Sequence, residues 1–208
     1  SADERRAGLA ARAIRSLIEA RRAAGDISAE GMVGAIGSAM PRRHPVPRLW
    51  LMTDERVGDR LWVAVRRLPR GSGIVFRHYV TPEAERRRLF ARLLRIARRR
   101  ELVLVRAGPT RFAGEMGTHG RRGAGLTTWP AHSRREAATG VRHGAAVLFI
   151  SPVFATRSHP GAVVLGSRRA AAIARGMPAR CIALGGMDCA RFTRLTGFDG
   201  WAAIDAWL

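Results

Sequence analysis

The stretch LTTWPAHSRREAATGVRHGAAVLFI, residues 126–150, carries a complete strand–helix–strand unit. Leu126 to Trp129 reads as a strand, and Ser133 with Glu136 three residues later has the spacing of a capping box that starts a helix. Val147 to Ile150 is a continuous apolar run, as expected for a strand buried on both faces. Outward from this unit the same texture recurs. Apolar runs at Leu49 to Met52, Ile74 to Phe76, Leu102 to Val105, Cys181 to Leu184 and Trp201 to Ile204 alternate with amphipathic stretches. The clearest of these is 82–100, with Thr81 as expected cap, Pro82 at the first helical position, and Leu89, Phe90, Leu93, Leu94 and Ala97 as the buried stripe. The arginines at 98–100 are expected to be solvated.

Strands that are apolar throughout, each followed by a helix, predict a parallel sheet covered on both faces. Seven strands, or eight with a weak one near Glu115 to Thr118, predict a closed (β/α)8 TIM barrel over 48–208. A doubly wound sheet is the alternative, but no GxGxxG follows any strand. Ala107 to Gly125 is too short and Gly-rich for full helices around strand 4, and Leu208 follows strand 8 without room for an eighth helix. Residues 1–40 read as an N-terminal helical extension and 41–47 as a Pro-rich linker. A helix over 3–24 is expected to pack on the strand-8/strand-1 groove, from its own chain or from a partner subunit.

Composition narrows the classes of function. The 208 residues carry 37 basic and 16 acidic side chains, a net charge of +21. Every basic residue is arginine; lysine, asparagine and glutamine are missing altogether. The 47% apolar fraction excludes a disordered chain. No apolar run reaches the roughly 18 residues a membrane helix needs, and SADERRAG lacks a signal-peptide core. Cys181 and Cys189 are too few for a disulfide framework and read as buried thiols. The expectation is a cytoplasmic globular protein without membrane contact. Nucleic-acid binding through the arginines is a weaker alternative, because they are spread along the chain rather than clustered.

In a TIM barrel, chemistry sits at the C-terminal ends of the strands. Those ends supply Arg77 and His78, Arg106, His119 with Arg121 and Arg122, His132, SPVFATRSHPG at 151–161, Gly185-Gly186 and Asp205. Cations and glycines suit a phosphorylated ligand, with Gly185-Gly186 opening a helix near 188 whose N–H groups could meet an anion. A tight β-to-α turn without a ligand is the plainer reading of that dipeptide. The four strand-end histidines show no HxH or HExxH spacing, so no metal site is expected from them.

WLMTD at 50–54, WPAHSRREA at 129–137, SPVFATRSHPG, ALGGM at 183–187 and GFDGWAAIDA at 197–206 resemble, in order, the motifs of the thiamine phosphate synthase family. The superfamily also holds a thiazole tautomerase on the same barrel. The resemblance implies a TIM barrel that joins hydroxymethylpyrimidine pyrophosphate to thiazole phosphate, with Mg²⁺ as the family's cofactor and a homo-oligomer as the expected assembly. It also implies roles. Arg77 matches the pyrophosphate-binding arginine, and Tyr79 stands where the family has lysine. Arg106-Ala107 replace the Asn-Asp pair, GTHGRRG carries no second metal carboxylate, and Pro130 replaces a serine. Thr156 is kept, Ser158 and His159 replace threonine and lysine, and Asp205 replaces a phosphate-binding serine. Gly185, Gly186 and the backbone at Ile204 would hold phosphate, and His132 is the acid/base candidate.

Without the two carboxylates, Mg²⁺ loses its ligands, and Arg106, Arg121 and Arg122 are the candidates to take over its charge. Three functions remain open: the synthase or a divergent relative of it, a tautomerase working through His132, and an inactive phosphate-ligand binding or regulatory protein.

Overall fold

A computed structural model describes residues 46–156 and 161–208. The expected N-terminal helices, most of the linker, Ser158 and His159 lie outside them.

Eight parallel strands close into a barrel in sequence order. They are β1 (Leu49–Met52), β2 (Gly73–Phe76), β3 (Val103–Ala107), β4 (Gly117–His119), β5 (Leu126–Ala131), β6 (Val147–Ile150), β7 (Arg180–Leu184) and β8 (Gly200–Ala203). The helices are α1 (Arg60–Arg67), α2 (Glu83–Arg99), α3 (Arg134–Arg142), α4 (Gly166–Ala174) and α5 (Cys189–Phe192). Closure is made by β1 pairing with β8, Leu49 opposite Trp201 and Leu51 opposite Ala203.

Alternation along each strand sorts side chains into two apolar layers. Trp50, Met52, Val75, Val105, Val147, Phe149, Ile182 and Ala202 fill the lumen. Leu51, Ile74, Phe76, Leu104, Leu148, Ile150, Cys181, Ala183 and Trp201 face the helices. Trp50 reaches across to Phe149 edge-on at 5.2 Å. Gly73 makes room for it, because a Cβ there would sit 2.2 Å from the Trp50 ring.

Local signals hold with specific differences. Ser133 Oγ accepts from the Glu136 N–H at 3.2 Å, while Glu136 Oε2 accepts from the His132 N–H at 2.9 Å. The capping box therefore also fixes the backbone of His132. On α2, Pro82 rather than Thr81 is the cap residue, and no side chain caps that end. Proline's fixed φ suits the helix entry and its missing N–H leaves nothing to satisfy. Leu89 is only half-buried, and Arg86 joins the buried stripe.

Arg100 is not simply solvated. Its guanidinium donates to the Val65, Arg66 and Leu68 carbonyls at 2.6, 2.7 and 2.7 Å, where α1 ends. A cation on orphan C-terminal carbonyls complements the helix dipole.

Around β4, no helix precedes or follows the strand among the described residues. Phe112 stacks on Phe90 at 4.6 Å and covers part of the α2 face in their place. After β8, residues Asp205–Trp207 form a 3-10 turn. Trp207 stacks on Trp201 at 4.8 Å, and its Nε1 donates to the Trp50 carbonyl at 3.1 Å. The strand-8/strand-1 groove, expected to need a covering helix, is thus partly filled by this indole.

Candidate functional site

A cleft of about 1020 Å³ opens at the C-terminal ends of the strands. Every strand except β3 contributes to its wall, directly or through the residues that follow it. Of the expected residues, Arg77, His132, Thr156, Gly185, Gly186, Ile204 and Asp205 line it.

His132 is held in one tautomer. Its Nδ1 lies 2.7 Å from the Ser151 carbonyl, which can only accept, so Nδ1 carries the proton and Nε2 keeps a lone pair. His119, also in the wall, is fixed through Thr128. Thr128 Oγ1 donates to the Thr118 carbonyl at 3.3 Å and therefore accepts from His119 Nδ1 at 2.9 Å. Burial, aided by the charge of Arg77, pushes the His119 pKa down to about 3, so this imidazole is neutral at ordinary pH.

Arg77 is positioned from below by β1. Thr53 accepts the Arg77 N–H on Oγ1 at 3.0 Å and Arg77 Nε on its carbonyl at 2.9 Å. Asp54 Oδ2 lies 3.5 Å from Nη2. Asp54 itself caps the turn after β1, with Arg56 donating from Nε and Nη2 at 2.8 and 2.9 Å. Burial raises the Asp54 pKa, but the Arg56 hydrogen bonds and the nearby guanidinium charges leave it below the ordinary value. These two residues sit in WLMTD, yet no spacing rule marks them as holders of Arg77. Asp205 adds to the field of Asp54 at Arg56.

The β7 turn is shaped by close approach. Gly185 and Gly186 have φ of 98° and 59°. A Cβ at Gly186 would sit 2.4 Å from the Ala155 carbonyl oxygen, and one at Gly185 would sit 2.8 Å from Pro152. The segment after β6 is laced to this turn by Val153 N–H to Leu184 O at 2.9 Å and Phe154 N–H to Gly185 O at 3.1 Å. The helix that follows is only four residues long, and Asp188 caps it by accepting from the Arg191 N–H at 2.8 Å, which occupies one of the N–H groups at that end.

Three of the expected arginines stand elsewhere. Arg106 is buried and bound to Glu115, Nε to Oε2 at 2.5 Å, with Nη1 on the Gly108 carbonyl. Glu115 also accepts the Phe112 N–H at 3.1 Å. Burial raises its pKa, but the hydrogen bonds from Arg106 and Phe112, together with the charges of Arg106 and Arg111, leave the carboxyl below its usual value. Arg121 and Arg122 are exposed and outside the wall. At these three positions arginine does not bring its charge to the cleft wall.

The wall also contains Arg169 on α4 and Arg191 on α5, which strand-end reading missed because both sit within helices. The two thiols are unsuited to nucleophilic work: burial, with the charge of Asp199, pushes Cys181 up to about 12, and burial with Asp188 raises Cys189.

The residues present do not fit the Mg²⁺ site of the family. The described residues hold no group of three or more His, Cys, Asp and Glu able to take a metal ion. The end of β3 offers Arg106, and Glu115 is committed to it.

The family model for thiamine monophosphate synthase matches residues 124–207, which span β5 to β8. No curated protein matches the sequence. Among solved structures, thiamine phosphate pyrophosphorylase from Pyrococcus furiosus is similar at 21% identity and TM-score 0.66, over 78% of this chain and 88% of that one. A designed cube-shaped protein cage built by fusing symmetric oligomeric domains is similar at 12% identity and TM-score 0.53, over 77% and 64%. A native KDPGal structure matches at 12% identity and TM-score 0.50, over 74% and 81%. At these identities the structural likenesses speak for the barrel alone. The family match across the second half of the chain and the five ordered motifs make residues 124–207 similar to thiamine monophosphate synthase, on a barrel of the same fold as the pyrophosphorylase.

Proposed function

We propose that the chain is a divergent relative of thiamine monophosphate synthase that binds thiazole phosphate at the β6–β8 side of the mouth and moves a proton on it through His132. The observation that carries this reading is the His132–Ser151 hydrogen bond of 2.7 Å, which leaves Nε2 as the free ring nitrogen in the cleft wall. As base, Nε2 takes a proton from one carbon of a thiazole tautomer. The imidazolium, with Nδ1–H still on the Ser151 carbonyl, returns the proton to a second carbon, so the net change is an isomerisation. Thr156 and the Gly185-Gly186 backbone are the phosphate contacts of this reading. No pyrophosphate is expelled in that step, so it is compatible with a wall from which the family's metal carboxylates are missing.

A second reading, coupling of pyrimidine pyrophosphate with thiazole phosphate, is favoured by one observation: Arg77 sits in the wall, anchored on Thr53 and Asp54.

The test supplies a thiazole phosphate tautomer alone, then with pyrimidine pyrophosphate, each with and without Mg²⁺. Aromatisation of the thiazole without the second substrate supports proton transfer. Thiamine phosphate as the sole product sinks it in favour of coupling. His132→Asn should lower the isomerisation rate by about 10²–10⁴-fold while thiazole phosphate binding changes little. A fully active variant would remove His132 from the chemistry.

A further inference from the structure

We propose that the outer face of α1 and α2 is a binding surface for double-stranded nucleic acid, which it holds by the phosphates without reading the sequence. The surface lies outside the cleft and rests on no reading of the chemistry there.

Arginine runs along the whole chain, but its density is uneven. Residues 59–101, which hold both helices, carry 13 arginines and four acids, while 102–208 carry 14 and five over more than twice the length. On α2 the exposed Arg88, Arg92, Arg95 and Arg99 recur at intervals of four, three and four residues. That spacing sets them in one line along one side of the helix, over about 16 Å at about 1.5 Å per residue. None of them lines the cleft, and among the described residues none has a carboxylate partner. The acids of this stretch stand at helix ends: Asp59 before α1, Glu83 and Glu85 in the first turn of α2, and Glu101 beyond it. Glu83 is bound to Arg87 at 2.7 Å and Glu101 to Arg70 at 2.9 Å. The two helices form one face. Arg92 lies over the Trp62 ring of α1, 3.8 Å from its centre. Arg100 is bonded to the last carbonyls of α1, which brings the exposed Arg66 beside the far end of the line.

Like charges three and four residues apart repel, so this line works against its own helix until an anion lies along it. Helix arginines elsewhere turn to neutral acceptors: Arg134 donates to the Ala172 and Arg175 carbonyls, and Arg142 to Thr139 Oγ1. What the face lacks selects the anion. The exposed large apolar side chains among the described residues are Tyr79, Val80, Val163 and Val164, so neither helix offers one to a lipid surface or to the centre of a protein interface. Trp62 is half-buried beneath Arg92, which leaves no open ring on this face for an unstacked base. A rigid row of guanidinium forks remains, and its match is a duplex backbone, whose charges recur about every 1.7 Å along the axis.

Fluorescence anisotropy tests this, with the full chain titrated into a labelled DNA duplex of about 20 base pairs between about 50 and 200 mM salt. The wild type is expected to bind, with affinity falling about 10²–10³-fold over that range, as about four to six phosphate contacts require. Arg88→Gln, Arg92→Gln, Arg95→Gln and Arg99→Gln, made together, keep good helix formers and should weaken binding at the lower salt by about 100-fold. The same variant should cut the salt dependence to about tenfold or less. Arg135→Gln, Arg142→Gln, Arg168→Gln and Arg194→Gln, made together, remove equal charge from exposed positions elsewhere and should weaken binding by less than about fivefold. Equal losses in the two variants overturn the proposal, because net charge alone would then account for binding. It is also overturned by a wild type that leaves the duplex free at the lower salt, or that binds phosphatidylserine–phosphatidylcholine vesicles and not the duplex. Should the first variant fail to fold, Arg88→Gln with Arg95→Gln is read in its place, and an unchanged salt dependence in that pair overturns the proposal equally.

Discussion

On the β5–β8 side of the mouth the backbone does the shaping, with Gly185 and Gly186 in left-handed conformations against Pro152 and Ala155, and one histidine set by a carbonyl. On the β2–β4 side charged side chains do it: Asp54 with Arg56 and Arg77, and Glu115 with Arg106. The first side lies within the residues that the family model matches, and the second lies outside them. The contrast teaches that one barrel mouth can be shaped by glycine backbone on one side and by paired charges on the other. The strands fix where the loops begin, and the loops choose their own charges.

The largest effect expected from breaking this contrast is on Glu115. Glu115→Ala leaves Arg106 buried without its partner and should destabilise the chain by about 3–5 kcal/mol in urea unfolding. Replacing both partners with apolar residues of similar size should recover most of that loss. A single variant costing under 1 kcal/mol would mean that water, not Glu115, satisfies Arg106.

Acid should act next, through His119 of β4 and His78 just after β2. The His119 pKa lies near 3 in the folded chain against 6.5 for a free imidazole, so the unfolded state binds the extra proton between those values. Stability is then complete above pH 6.5 and lost as the pH falls toward 3, by about 1.4 kcal/mol per unit from this group. Burial lowers His78 as well and adds in the same direction. His119→Gln should flatten the thermal midpoint's fall between pH 6.5 and 4.5; an unchanged slope would assign it to other groups.

The smallest of these effects concerns the glycine side. Gly186→Ala requires φ near 59° and puts a methyl 2.4 Å from the Ala155 carbonyl oxygen, for a cost of about 2 kcal/mol. Binding of thiazole phosphate should weaken with it. A variant that keeps both stability and affinity would show that the turn relaxes freely and is not what shapes the cleft.

Much of this could be read in advance for a physical reason. Continuous apolar runs, helical periodicity and capping boxes are local codes, so the barrel and the spacing of Leu49–Met52, Val147–Ile150 and their fellows were legible from one sequence. Strand ends placed His132, Arg77 and the Gly185-Gly186 turn in the wall for the same reason, because a strand's end fixes which face of the barrel its next residue meets. Arg106 shows the limit. It stands at a strand end, but its partner Glu115 is nine residues on, and which carboxylate a guanidinium meets depends on how a helix-free loop packs.

The sequence by itself determined a parallel barrel with a histidine, an arginine and a glycine turn at its mouth, because backbone periodicity is written residue by residue. Only the tertiary structure decided which arginines carry usable charge. It paired Arg106, left Arg121 and Arg122 exposed, set Arg100 on helix-end carbonyls and packed Arg86 against the Phe76 and Phe112 rings. Charge is long-ranged and its value depends on burial and partners, which are properties of the packed molecule and not of any one stretch of the chain.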